Sequence, residues 1–303
     1  MIYTCTLNPS IDYLVEIKHV ELGSLNRTER TSFYPGGKGI NVSRVLKRLG
    51  VNSKALGFLG GFTGDFIKDY LTREGIEQQF IEHEEPTRIN VKLKSSTETE
   101  LNGSGAFISE ELQQTLYNKI SELTNEDYFV LAGSYPPSIS AAFYESLAAL
   151  CQEKGIPLVV DVSGPSLKEV LKYNPLLIKP NQHELGELVG ATIDSKEDAI
   201  TYGKKLLEQG PQNVIVSMGG AGAVLINNEL TVYATVPKGE VRNSVGAGDS
   251  TVAGFLASFV NNHNHLDAFR FGVASGTATA FSSDLCTQNE VENILPQIHV
   301  EIL

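Results

Sequence analysis

Short apolar runs rich in β-branched residues recur at 2–7, 128–132, 158–162, 176–179 and 214–217, mostly separated by stretches of helical period. That alternation allows few architectures. Strands spaced by helices imply a largely parallel sheet with helices packed on both faces. Among the helical stretches, Ser195-Lys196-Glu197-Asp198 reads as a capping box, and the amphipathic run behind it is expected to close at Gly210 in a left-handed stop.

Two segments break the rhythm. Residues 11–33 and 87–105 are polar and lack a helical apolar stripe, which suits the strands of a small exposed sheet. In 87–94, period-two alternation places Arg88, Asn90, Lys92 and Lys94 on one face and Ile89, Val91 and Leu93 on the other. Such a strand is either a flap, with its polar face over a ligand and its apolar face on a partner, or an ordinary half-buried strand.

The 303 residues carry 24 Lys and Arg against 36 Asp and Glu, a net charge of −12, which argues against a broad nucleic-acid or anionic-membrane surface. An anionic ligand must therefore be met locally. No run of about 18 apolar residues occurs, and the opening MIYTCTLNPSIDY lacks a basic segment followed by a long apolar one. A soluble cytoplasmic protein is expected. Cys5, Cys151 and Cys286 have no metal-ligand or CxxC spacing and read as buried free thiols.

Three glycine-rich segments carry candidate chemistry. Pro35-Gly36-Gly37-Lys38-Gly39-Ile40-Asn41 feeds a helix whose start favours negative charge, and Lys38 and Asn41 can reach hydroxyls or phosphate. A tight turn with a solvated lysine accounts for it equally. Ser217-Met218-Gly219-Gly220-Ala221-Gly222 joins two strand-like runs as a hairpin turn, serving chain reversal or lying flat against a nucleotide. Gly246-Ala247-Gly248-Asp249 runs into the apolar helix 252–260. An aspartate there can simply answer the helix dipole. It can also accept a proton from an attacking hydroxyl while the neighbouring amides stabilise a transferring phosphoryl group.

At 181–184, Asn181 and Glu184 form a second capping box, compatible with a carboxylate that holds a magnesium-bound water. Walker A, GxGxxG, HExxH and GxSxG patterns are missing, which argues against P-loop kinases, dinucleotide dehydrogenases, zinc proteases and serine hydrolases.

In order, these segments resemble the ribokinase-like (PfkB) family of carbohydrate kinases over essentially the whole chain. Its two signatures match 36–43 and 243–254, with support from 6–12, 132–137, 179–181 and 217–220. Within the family, TLNPSID and GGKGINVSR resemble the hexose-phosphate kinase branch. The resemblance implies a three-layer α/β/α fold with a mostly parallel sheet, comprising 1–10, 34–86 and 106–303, and a small β lid of 11–33 and 87–105 through which a homodimer forms. It implies phosphorylation of fructose 1-phosphate at the C-6 hydroxyl by ATP with Mg2+, and a monovalent cation as a further cofactor. Tagatose 6-phosphate or fructose 6-phosphate is the alternative acceptor, and a non-catalytic sugar-phosphate sensor the alternative class.

By the same resemblance Asp249 is the base, and Gly246, Ala247 and Gly248 form the anion hole. Asp12, Gly36, Gly37, Lys38 and Asn41 match sugar positions. Arg88, Asn90 and Ser134 match positions near the sugar phosphate, and Arg27 on the lid reaches a neighbouring subunit. On the nucleotide side stand Lys179, Asn181, Glu184, Ser217, Met218, Gly219, Gly220, Ala221, Gly222, Gly248 and Ser275, with Glu184 ordering the metal through water. Lys38 departs from relatives with an all-glycine segment, which points to a different phosphate placement.

Overall fold

The computed structural model describes residues 1–96, 98–162 and 164–303. Among them run fifteen strands: β1 (Ile2–Thr6), β2 (Ser10–Glu16), β3 (Arg30–Gly36), β4 (Ser53–Gly60), β5 (Glu77–Gln78), β6 (Ile81–His83), β7 (Arg88–Lys94), β8 (Glu98–Asn102), β9 (Tyr128–Ala132), β10 (Leu158–Asp161), β11 (Leu177–Ile178), β12 (Asn213–Ser217), β13 (Ala223–Asn227), β14 (Thr231–Thr235) and β15 (His299–Ile302). The helices are α1 (Lys38–Arg48), α2 (Gly61–Arg73), α3 (Glu110–Ser121), α4 (Ala141–Lys154), α5 (Pro165–Leu171), α6 (Gln182–Val189), α7 (Lys196–Leu207), α8 (Ala247–Asn262), α9 (His265–Phe281) and α10 (Gln288–Ile294).

The main sheet runs β15-β14-β13-β12-β11-β10-β9-β1-β4-β5, with β6 also on β4, and is parallel from β12 to β5. Beyond β12 three strands turn antiparallel. Burial on both faces explains the unbroken apolar runs. Along β9, Phe129 and Leu131 pack with α3 to α7, whereas Val130 and Ala132 pack with α1, α8, α9 and α10.

The expected strands are all present. One long strand near the sheet edge, β4, was not expected, because Ser53-Lys54-Ala55-Leu56-Gly57-Phe58-Leu59-Gly60 lacks β-branched residues. Gly57 is required there by crowding: a Cβ would stand 2.0 Å from the Thr6 carbonyl oxygen. Helix α7 starts at the expected Ser195 box, but it leaves through Glu208 rather than in a left-handed stop at Gly210. Gly210 is needed for a different reason, since its Cβ would stand 2.2 Å from the Leu171 carbonyl oxygen.

The second sheet, β3-β2-β7-β8, is the small lid, and β3 runs on to Gly36, past the expected edge at 33. Each face is buried in part, the polar one at Asn90 and Lys92 and the apolar one at Ile11 and Val15. Ile89, Phe33 and Leu101 are exposed on the apolar face, and Lys92 on the polar face lines a cleft with Asn41 and Asn243. The three cysteines are free and buried. Among the described residues, no helix is long and apolar enough to cross a membrane.

Candidate active site

Parallel strands direct their carboxyl ends to one edge, where open α/β sheets bind ligands. Asp161, Lys179 and Ser217 end or follow β10, β11 and β12 at that edge, and two helices begin beside them. Helix α1 opens from Gly37 (φ 117°) without a side-chain cap of its own; Thr6, at the end of β1, accepts from the Ile40 amide instead at 3.0 Å. Helix α8 opens from Gly246 (φ 80°), also without a side-chain cap. The Ala247 amide reaches the Ser244 carbonyl at 3.3 Å, so the amides behind it form the electropositive start of the helix.

Asp249 lies in this first turn and is 6% exposed. Asn41 of α1 donates to its Oδ2 at 2.8 Å. Burial and the like charge of Asp161 push the Asp249 carboxyl up to about 6, opposed by Lys38, the Asn41 amide and Lys179. Asp161, 1% exposed, lies between two cations: Lys38 Nζ at 3.1 Å and Lys179 Nζ at 3.6 Å. Burial alone would raise its pKa, but Lys179 and Lys38 hold it below the usual carboxylate range. Against burial, Asp161, Asp249 and Glu184 keep Lys38 above the usual lysine range. Gly248 lets Lys179 approach closely, since a Cβ would stand 2.9 Å from its Nζ.

The Asn181–Glu184 pair is a capping box, each side chain accepting from the other's amide at 2.9 Å. Cap and site coexist, because Glu184 Oε1 also lies 3.9 Å from Lys38 Nζ. At 219–221 a single 3-10 turn links β12 to β13, with Met218 buried beneath it. Gly219 and Gly220 face open space, whereas a Cβ on Gly222 would stand 2.0 Å from the Ala234 carbonyl oxygen. The result is a flat, uncrowded surface beside Ser217.

On the lid, Asp12 Oδ1 accepts from Ser10 at 2.8 Å and from Asn90 at 3.1 Å, and Lys92 Nζ stands 3.4 Å from Oδ2. Gly36 leaves room for this carboxylate, as a Cβ would come within 2.4 Å of Oδ1. A cleft between lid and main domain is lined by Asp12, Asn41, Lys92, Lys94, Asn243 and Asp284. Asp249 lies behind Asn41.

Not every expected residue joins this set. Arg88 is spent on the lid hinge, donating to the carbonyls of Gly103 at 2.8 Å, Asn8 at 2.9 Å and Pro9 at 3.4 Å. Ser134 is exposed in the loop after β9, and Arg27 is exposed on the loop between β2 and β3. Ser275 is fully buried between α8 and α9, its hydroxyl donating to the Phe271 carbonyl at 2.8 Å. Asp161 and the Lys92 contact to Asp12 escaped the sequence reading. The available signal for Asp161 was a carboxylate closing an otherwise apolar strand.

The pfkB family carbohydrate kinase model matches residues 6–292. The chain belongs to the pfkB family of carbohydrate kinases. It is 52% identical to the 1-phosphofructokinase of Bacillus subtilis over 99% of both chains. A D-tagatose-1-phosphate kinase of Bacillus licheniformis is 38% identical over 99% of both. The crystal structure of phosphofructokinase-2 from Escherichia coli in complex with potassium superposes with a TM-score of 0.92 at 29% identity, covering 98% of both chains.

Proposed function

We propose that this chain transfers the γ-phosphoryl group of ATP to the 6-hydroxyl of fructose 1-phosphate, giving fructose 1,6-bisphosphate and ADP. The observation that carries the chemistry is the buried Asp249, held by Asn41 beside the uncapped start of α8 and within the field of Lys38, Lys179 and Asp161. Asp249 takes the proton from the attacking hydroxyl, and the amides at Gly246 and Gly248, with that of Ala247 exchanging its 3.3 Å contact to the Ser244 carbonyl, receive charge on the phosphoryl oxygens. Lys38 moves between Asp161 and the transferred group. Asp12, Gly36, Gly37 and Asn41 orient the sugar, while Asn90 and Ser134 border its phosphate and Arg88 acts through the hinge, holding the Asn8 and Gly103 backbone beside it. Arg27 reaches the partner's site across the lid.

The flat turn at Ser217 to Gly222 seats the nucleoside, with Lys179 and Asn181 toward its phosphates; Ser275 supports α8 from behind. Among the described residues, no three His, Cys, Asp or Glu side chains gather as a metal cage. That donor set fits Mg2+ carried in on the phosphates, with Glu184 reaching it through water. When bound, the ion neutralises charge on the β- and γ-phosphates. A monovalent cation belongs to the same reading.

The similarity to the Bacillus subtilis enzyme supports the substrate, and that to the tagatose-1-phosphate kinase supports a second ketohexose 1-phosphate as runner-up. A kinase assay across fructose 1-phosphate, tagatose 1-phosphate, fructose 6-phosphate and tagatose 6-phosphate is expected to give the highest kcat/KM with the first. A higher value for any other reassigns the substrate, and no ATP turnover with any favours a sensor.

The exposed Phe33, Ile89 and Leu101 share the outward lid face, which supports a homodimer closed through it. Sedimentation at working concentration is expected to report a dimer, and Ile89→Glu with Leu101→Glu a monomer. A wild-type monomer removes this part of the reading.

A further inference from the structure

Beside the start of α8, in the wall of the lid cleft, lies an ion cluster to which the phosphoryl-transfer chemistry gives no role. Arg44, on α1 one turn after Asn41, is 1% exposed. It donates to Glu74 Oε2 at 2.9 Å and to Asp284 Oδ2 at 3.0 Å, and its guanidinium lies 5.1 Å from the Tyr70 ring centroid. Arg48, a further turn along, donates to Glu74 at 3.1 Å and Asp284 at 2.7 Å, and also to the Leu285 carbonyl. Buried ion pairs contribute little net stability once desolvation is counted, so such a cluster is better understood through the geometry it imposes.

What it holds is the segment after α9. Leu285, 5% exposed, places Cδ2 2.4 Å from where a Cβ on Gly246 would stand. The next residue ties the same segment to α8 from the other side: the Cys286 amide donates to Thr279 Oγ1 at 2.9 Å, and Thr279 donates to Ser250 Oγ at 2.7 Å. Gly246 is the left-handed residue from which α8 opens, so Leu285 is the floor under that turn. Helix α1 therefore acts twice. Asn41 holds the carboxylate of Asp249, and Arg44 with Arg48 holds the floor beneath the amides.

We propose that Leu285, fixed by the Arg44–Arg48–Asp284 cluster, is a positioning residue for phosphoryl transfer that sets the conformation of the Gly246 turn. The inference rests on the reading of that turn as the anion hole. A displaced amide loses transition-state contact more than ground-state binding, so the effect belongs in kcat.

The test is steady-state kinetics on Leu285→Ala, Leu285→Met and Asp284→Asn, with Asp249→Asn and Val273→Ala run alongside, each well below its melting temperature. Val273 is buried in the same core but on α9 away from the turn. Leu285→Ala is expected to lower kcat about tenfold or more with both KM values within about threefold. Leu285→Met restores most of the loss, Asp284→Asn costs at least about threefold in kcat, and Val273→Ala leaves kcat near wild type. Wild-type kcat in Leu285→Ala, or a loss no larger than that of Val273→Ala, overturns the proposal. If Leu285→Ala does not fold, Asp284→Asn decides, since Glu74 still pairs with both arginines. Wild-type activity in Asp249→Asn instead removes the base and with it the placement of the reaction at this turn, on which the inference rests.

Discussion

Asp249→Asn is expected to lower kcat by roughly 10³-fold or more while the KM for the sugar phosphate stays within a few-fold. The asparagine keeps the size of the side chain and can still meet Asn41, so the sugar pocket is preserved. What disappears is the acceptor for the hydroxyl proton. Asp249 titrates near 6 because burial and Asp161 favour its protonated form. As a base it works only when ionised, so wild-type kcat/KM rises with pH through about 6 and levels above it, and near pH 5 only about a tenth of the sites are competent. The pH profile and the variant test one residue by independent routes. A variant with near wild-type turnover, or residual activity that keeps the same acid limb, would falsify the assignment of the base.

Lys38→Met is expected to reduce kcat/KM for ATP by about 10²-fold. Its ammonium stands 3.1 Å from Asp161 and 3.9 Å from Glu184. A pair at such range in a partly solvated site is worth on the order of 4 kcal/mol, yet a 10²-fold loss is under about 3 kcal/mol. The smaller figure is expected because Lys179 remains beside Asp161. A second readout separates a lost phosphate contact from simple damage. Lys38 is one of the charges that lower the pKa of Asp249. Removing it must move the acid limb of the remaining activity to higher pH, and Lys38→Arg, which keeps the charge, must restore the limb further than it restores the rate. An unshifted limb in Lys38→Met places Lys38 outside the field of the base.

Much of the fold was legible because its causes are local. Runs such as 128–132 are apolar on successive residues, as a strand covered on both faces tolerates, and such runs became β9 to β12. The capping boxes at Ser195 and Asn181 lie within four residues and form as written. Strand β4 was not legible, because its glycines answer to contacts with β1 and the 83–86 segment rather than to strand propensity. The lid could be read either as a flap or as a half-buried strand, since alternation gives two faces without saying which is covered. Main-domain packing reaches the apolar face, where Ile11 and Phe33 meet α2, while Asn90 and Lys92 are buried by Ser10, Asp12 and Glu100 within the lid itself.

The site divides in the same way. Sequence alone determined the three glycine turns, the aspartate at the start of a helix and the acidic cap at 184, since backbone freedom and helix-end charge depend on neighbours a few residues away. Only the tertiary structure decided which of them meet. Asn41 reaches Asp249 across 208 positions, Lys38 reaches Asp161 across 123, and Arg44 reaches Asp284 across 240. Strand order sets those encounters. Ion pairing and desolvation act through space, so the pKa of Asp249, the pairing of Lys38 and the floor beneath Gly246 exist only once β1, β9, β10 and β11 lie side by side.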